Sequence, residues 1–361
     1  MDITDKAYGC LIGGAIGDAL GAPVEGWTRE RIEDEYGTVE DFKQYYMPYS
    51  NTEPGAVTSD TTLRQLVGLA IVKKGRRISP ADFGDILCDR LNPDRVWISE
   101  EIALQKLSAG MNPWETGAGA VPDNKITSAI TPVGIVNVGN PAQAYQDGYV
   151  IASTVQDGHY RHATATVAAG IAEAASPSAT VESVLETMVE HSSGVVARAI
   201  DLAIGFAEES GSVDELFDSL YDDFLDWRWP PVNWNREKYH SGKVFSASAL
   251  EVLPVAMAIV QVCEGDVNQS IVNGVTYGRD SDAVASLTGS ITGALCGANS
   301  IRDDWKMKCE HANREFFQEL EGNSDADFRS MARRLVNVLE DEWHRTQERA
   351  DLLNEVLDGR K

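Results

Sequence analysis

Apolar and polar positions along this chain recur with the helical period almost everywhere, and the alternation of a half-buried strand is nearly absent. In the run from Gly278 to Gly297, Leu287, Ile291 and Leu295 lie at helical spacing and small residues fill the remaining faces. That pattern predicts a helix packed by neighbours on every side. Residues 5–20 predict a second such helix, with Gly9, Gly13 and Gly17 spaced one turn apart. Glycine at those positions costs helix propensity, and it is tolerated where another helix backbone must come close. Further helices are predicted from Leu63 onward, over 80–91 and 99–109, and through the alanine-rich stretch 141–176, broken at 156–162. Two amphipathic helices are expected within 181–225, an apolar one over 246–262, and charged amphipathic helix from Trp305 to the end. Residues 36–57 and 111–124 are too rich in turn formers and aromatics to be anything but loops. A strand-like signal occurs only around 131–138. With no repeat and no dividing linker, the reading is all-α: one compact multi-helix domain, its core at about 5–310 and charged helices at 311–361.

Composition narrows the function classes. Lys and Arg number 31 against 56 Asp and Glu, a net charge of −25. Such a surface repels nucleic acid and anionic lipid, so neither is expected as a partner. Arginine outnumbers lysine and the acidic excess is spread along the chain, which suggests adaptation to salt. No apolar run is expected to span a membrane, and Met1–Lys6 has no basic start followed by an apolar segment, so no signal peptide is expected. Five scattered cysteines with no Cys-x-x-Cys pair suggest a reduced, cytoplasmic protein without a zinc site.

Candidate chemistry is concentrated at helix starts. Asp280 and Asp282 open the central apolar helix, where two carboxylates are expensive unless paired. A hard cation such as Mg²⁺ is a fitting partner for oxygen ligands; the plain alternative is that one of them caps the helix. Thr58, Ser59, Asp60 and Thr61 form a second oxygen cluster, with capping by Ser59 or Asp60 as the plain alternative. Asp18 falls in the glycine-spaced helix, buried or at a cavity edge. Glu25 follows beside Pro23, Val24 and Trp27, surroundings that favour a raised pKa. His159 and His162 have no third ligand at matching spacing and read as residues of a helix start. Tyr45, Tyr46 and Tyr49 and the run Trp227 to Trp234 offer aromatic surface, either core or a place where a flat ring stacks.

Taken in order, these segments resemble the ADP-ribosylglycohydrolases, also called dinitrogenase-reductase-activating glycohydrolase-like proteins. The family's opening Gly-x-x-x-Gly-Asp-Ala-x-Gly and following Glu are matched by Gly13–Gly21 and Glu25. Its Thr-Asp-Asp-Thr is matched by Thr58-Ser59-Asp60-Thr61. Its middle segment is matched by Asn124 and Pro132-Val133-Gly134, and its closing Gly-x-Asp-x-Asp-Thr by Gly278 to Ala283. The resemblance covers about residues 7–300. It implies an all-α fold around a cleft with two Mg²⁺ ions that hold the ribose hydroxyls of an ADP-ribose-like substrate while water attacks the anomeric carbon. Carried over, Thr58, Ser59, Asp60, Asp280 and Asp282 are the metal-ligand positions. Glu25 is the general acid/base candidate, with Asp60 as a second catalytic candidate. Asn124, Gln156, Asp157, Arg279 and Ser281 are the substrate-binding candidates.

The departures are informative. Ser59 replaces an aspartate and Ala283 a threonine, so one or two ions are expected, with at least one of them held more weakly. Asn124-Lys-Ile-Thr-Ser-Ala129 replaces Asn-Gly-x-x-Met-Arg, so a basic residue is lost, and Val155-Gln156-Asp157 replaces the family's Thr-His. Arg279 is an added charge, expected to meet a substrate anion or Asp280. The implied function is a Mg²⁺-dependent hydrolase of a small-molecule or protein-linked ADP-ribosyl bond. A hydrolase of smaller N-ribosides, a catalytically impaired nucleotide-binding or structural member, and a partner-binding scaffold built on 326–358 are the alternatives.

Overall fold

In a computed structural model, residues 2–45, 53–93, 96–225 and 248–358 are described. Among them the chain is helical without strands, in agreement with the all-α reading. Helix α1 (Ile3–Gly21) and the helix over Ser281–Cys296 (α15) run together through the centre. Nearly every residue of α1 from Lys6 onward is buried, whichever face it occupies. The glycine spacing is the reason: a methyl at Gly13 would run into the Gly289 carbonyl, and one at Gly289 into the Gly13 carbonyl. Backbone-to-backbone packing of this closeness leaves no room for a Cβ.

Residues 3–24 form a helical run that is long and apolar enough to cross a bilayer, contrary to the sequence expectation; 94% of it is buried within the protein. Its hydrophobicity therefore belongs to the core.

Around this pair lie α2 (Arg29–Tyr36), α3 (Ser59–Lys74), α4 (Pro80–Arg90) and α5 (Ile98–Ser108). Helix α2 was not anticipated. It is mostly exposed, anchored by buried Ile32 and capped by Thr28, whose side chain accepts from the Arg31 amide. The strand-like signal near 131–138 proves to be helical: α6 (Lys125–Ala129) and α7 (Thr131–Ile135) are single turns, buried throughout. Next come α8 (Pro141–Ala152) and α9 (His159–Ala174). The 181–225 region holds α10 (Val181–Glu190), α11 (Gly194–Glu209) and α12 (Val213–Ser219), one helix more than expected, followed by a π turn.

Helices α13 (Ala249–Val262) and α14 (Val267–Thr276) lead into α15. Helices α16 (Asp303–Glu321) and α17 (Phe328–Asp358) close the chain. The buried positions of α17 stop at Val338, and its remainder stands exposed with Trp343 and Leu352 on the surface. Tyr46, Tyr49 and Trp227 to Trp234 lie outside the described residues.

Candidate active site

The functional cluster forms where the C-terminal end of α1 meets the starts of α3, α6 and α15. Asp18 is fully buried near the end of α1. Its carboxylate accepts from the backbone amides of Thr58 (3.1 Å) and Thr61 (3.1 Å), so it fastens the start of α3. Asn313 on α16 completes the hold: it donates to the Gly55 carbonyl (2.9 Å) and accepts from the Val57 amide (3.0 Å). The cap of α3 is Thr58, whose hydroxyl accepts from the Asp60 amide (3.3 Å), rather than Ser59 or Asp60. Ser59 is half-buried at the first helical position.

The start of α15 is fixed from α1 and the loop that follows it. Ser281 donates its hydroxyl to the Gly21 carbonyl (3.0 Å), and Gly21 lies so close to the Asp282 backbone that no Cβ would fit. Gly26 donates to the Arg279 carbonyl (2.6 Å) and Arg279 donates back to the Trp27 carbonyl (2.6 Å). Arg279 takes a left-handed conformation (φ 59°) to make both bonds. These ties put Glu25, Asp280 and Asp282 together, with oxygens all within 4.8 Å of one another. Asn124 donates to Asp280 Oδ2 (2.6 Å). Asp280 is the N-cap residue of α15 by position, yet its side chain makes no capping bond.

Polar satisfaction distinguishes this cluster from ordinary capping. Asp280 Oδ1, both oxygens of Asp282 and Asp60 Oδ2 are buried with no hydrogen-bond partner. Buried carboxylate oxygens are almost always satisfied, so unsatisfied ones in one spot require an account. Oxygen donors at this density suit a hard dication such as Mg²⁺. Repulsion is visible in the acidities. Asp282 first, and then burial, push the Glu25 carboxyl up to about 8. Burial and neighbouring carboxylates also raise Asp18, Asp280 and Asp282.

Lys125 was not singled out as a site residue by sequence, and it stands at the centre. It opens α6, is 6% exposed, and its Nζ lies 2.9 Å from Asp60 Oδ1. Burial pulls its pKa down, but Asp60, Asp282, Asp280 and Glu25 outweigh burial and hold it well above the ordinary lysine value. The loss of a neighbouring family arginine was visible in the chain; the reach of this lysine into the carboxylates was not.

The structure corrects the reading of Arg279. Its guanidinium turns away from both Asp280 and the site and is bound by Glu251 of α13, through Nε–Oε1 and through Nη2–Oε2 (3.1 Å). Both side chains are buried. Gln156 is also committed, donating to Val121 O (3.2 Å) and Asp123 Oδ1 (2.7 Å). Asp157 is exposed and accepts from the Gly119 and Gly158 amides, so it pins the 111–124 loop. His162 meets the Tyr145 hydroxyl through Nδ1 (2.6 Å). A second buried acidic pair, Glu100 and Asp123, adjoins Lys125; burial raises both, Asp123 raises Glu100 further, and Asp60 raises Asp123.

The all-α body thus gathers buried carboxylates where the C-terminal end of α1 meets the start of α15. Residues 1–345 match the ADP-ribosylglycohydrolase family, and the chain belongs to it. It is 29% identical to an uncharacterized protein of Archaeoglobus fulgidus over 88% of this chain and 94% of that protein. It is 23% identical to the uncharacterized protein YegU of Escherichia coli over 86% and 93% of the two chains. A shorter match, 36% identical over 73 residues (20% of this chain and 24% of the other), is to the ADP-ribosyl-[dinitrogen reductase] glycohydrolase of Rhodospirillum rubrum. A solved structure described as an ADP-ribosylglycohydrolase-related protein complex shares the fold, with a TM-score of 0.66 and 21% identity over 93% of this chain and 99% of that one.

Proposed function

We propose that this protein is a Mg²⁺-dependent glycohydrolase that cleaves the glycosidic bond of an ADP-ribosyl compound or of a related, smaller riboside. The observation that carries the reading is the set of unsatisfied buried oxygens on Asp280 and Asp282, with Glu25 beside them. Asp280 and Asp282 would hold the ion, and Asp60 Oδ2 is the remaining unsatisfied oxygen near them. A dication there supplies positive charge to polarise ribose hydroxyls and water. Asn124 fixes the orientation of the Asp280 carboxylate. Glu25 is the member of the trio that reaches solvent. Its carboxyl, beside the position that the ion would take, would pass a proton between the attacking water and the leaving group.

One observation favours the smaller substrate. Arg279 and Lys125, the basic side chains next in the chain to Asp280 and Asn124, are both committed to carboxylates. A ribosyl compound with less phosphate than ADP-ribose asks less of this strongly acidic chain.

The test has two parts. Turnover is measured on a panel of ADP-ribosyl adducts and N-ribosides with and without Mg²⁺, for the native chain and for Asp282→Ala. Mg²⁺-dependent turnover that Asp282→Ala loses while keeping its helical circular dichroism is the expected result; turnover retained in the presence of a chelator refutes the metal assignment. Calorimetry with ribose, ribose 5-phosphate, AMP and ADP-ribose then separates the substrates. An affinity that climbs steeply with each phosphate refutes the small-riboside reading, and absence of turnover on the whole panel points to the binding-protein alternative.

A further inference from the structure

We propose that the Lys125 ammonium occupies one of two cation positions in this cluster, so that the protein supplies one cation from its own chain and takes up a single dication at Asp280 and Asp282, beside Glu25. The inference rests on the metal-dependent reading above and concerns how the cluster divides its charge.

Geometry separates the two positions. The trio of Glu25, Asp280 and Asp282 has its oxygens within one ion's reach, and Asp60 is not part of that trio. Asp60, fully buried, has Lys125 Nζ at 2.9 Å instead. One carboxylate position is thus served by an ammonium, and at the other Asp280 Oδ1 and both Asp282 oxygens have no hydrogen-bond partner. A dication and an ammonium at salt-bridge distance from the same carboxylate repel each other, so a second dication at Asp60 would have to expel the lysine.

The lysine is built into this place. The Asp123 carboxylate accepts from the Lys125 amide (3.1 Å). The preceding Asn124 is tied to Asp280. At the other end of the same short helix, Arg64 of α3 donates to the Ser128 carbonyl through Nε (3.2 Å) and Nη2 (3.0 Å). Backbone ties at both ends of α6 hold the Cα of Lys125 fixed, and all of α6 is buried.

The experiment counts ions. Mn²⁺ binding per chain is measured by the loss of the free-ion paramagnetic resonance signal, for the native protein, for Lys125→Met, and for Ser59→Asp combined with Lys125→Met; circular dichroism confirms that each is folded. One ion on the native chain and two on the double variant is the expected result, with Lys125→Arg remaining at one. Two ions on the native chain overturn the proposal on that measurement alone, even if no variant folds, and leave the metal-dependent reading standing. One ion on the native chain and still one on the folded double variant also overturns it. No ion on any form overturns the metal-dependent reading, and the proposal with it.

Discussion

Glu251→Ala is the sharpest test of how the site is framed. Glu251 and Arg279 are both nearly inaccessible to solvent, and Glu251 is the acidic partner of the guanidinium. The pair raises Arg279 above its ordinary value in spite of burial. Deleting one partner of a buried ion pair leaves an uncompensated charge, at a cost of about 3–5 kcal/mol. Glu251→Gln also leaves the guanidinium charge uncompensated but keeps an acceptor for it, so its loss is smaller than that of the alanine variant. Against a total stability of about 5–15 kcal/mol, the alanine variant consumes a large share. Urea unfolding followed by circular dichroism measures both. Because Arg279 also exchanges backbone bonds with Gly26 and Trp27, the alanine variant should bind Mg²⁺ more weakly as well. A loss below about 1 kcal/mol for Glu251→Ala would contradict the scale expected for a buried pair and return Arg279 to the substrate-binding candidates.

Two further outcomes are expected away from the site. Burial first, and then Asp327, raise the Glu310 carboxyl to about 7, while Tyr8 and Arg329 oppose the rise. A carboxyl raised in the fold keeps its proton where the unfolded chain has released it, so its contribution to stability falls between about pH 4.5 and 7. Glu310→Gln should flatten that part of the stability profile, and a slope unchanged in the variant refutes the assignment. The net charge of −25 predicts a melting temperature that rises from dilute to molar KCl, as the screening length drops from about 10 Å at 0.1 M to about 3 Å at 1 M; a flat response removes salt adaptation as the account of this composition.

The central helix pair was legible because its signal is local and repeated. Glycines one turn apart on α1 and small residues along α15 can serve only a close backbone crossing, and that crossing is what the structure shows. The turns α6 and α7 were illegible for the opposite reason. Five residues contain little more than one helical period, and a buried turn has no polar face to mark it. Helix α2 was missed because it buries little beyond Ile32; its stability comes from its cap and from the stacking of Trp27 on Tyr36 at 5.7 Å. Arg279 was misread through its adjacency to Asp280. The left-handed backbone at 279 sends its side chain to α13 while Asp280 stays in the cluster, and no neighbour in the chain marks Glu251 as the partner.

Lys125 and Asp60 are similarly distant in sequence, and their pairing follows from a general demand of a strongly acidic chain. Mobile cations screen the surface, but they do not reach carboxylates inside a packed core. Those carboxylates need fixed charges or a bound ion. Among the described residues, the cluster has Lys125 at Asp60, and Arg64, fully buried, whose pKa is lowered by burial against the opposing pull of Cys10, Asp18 and Asp60. Asp280 and Asp282 keep unsatisfied oxygens. Inside, two basic side chains answer part of the negative charge, and the unsatisfied oxygens at the start of α15 are the ones that the proposed dication would take.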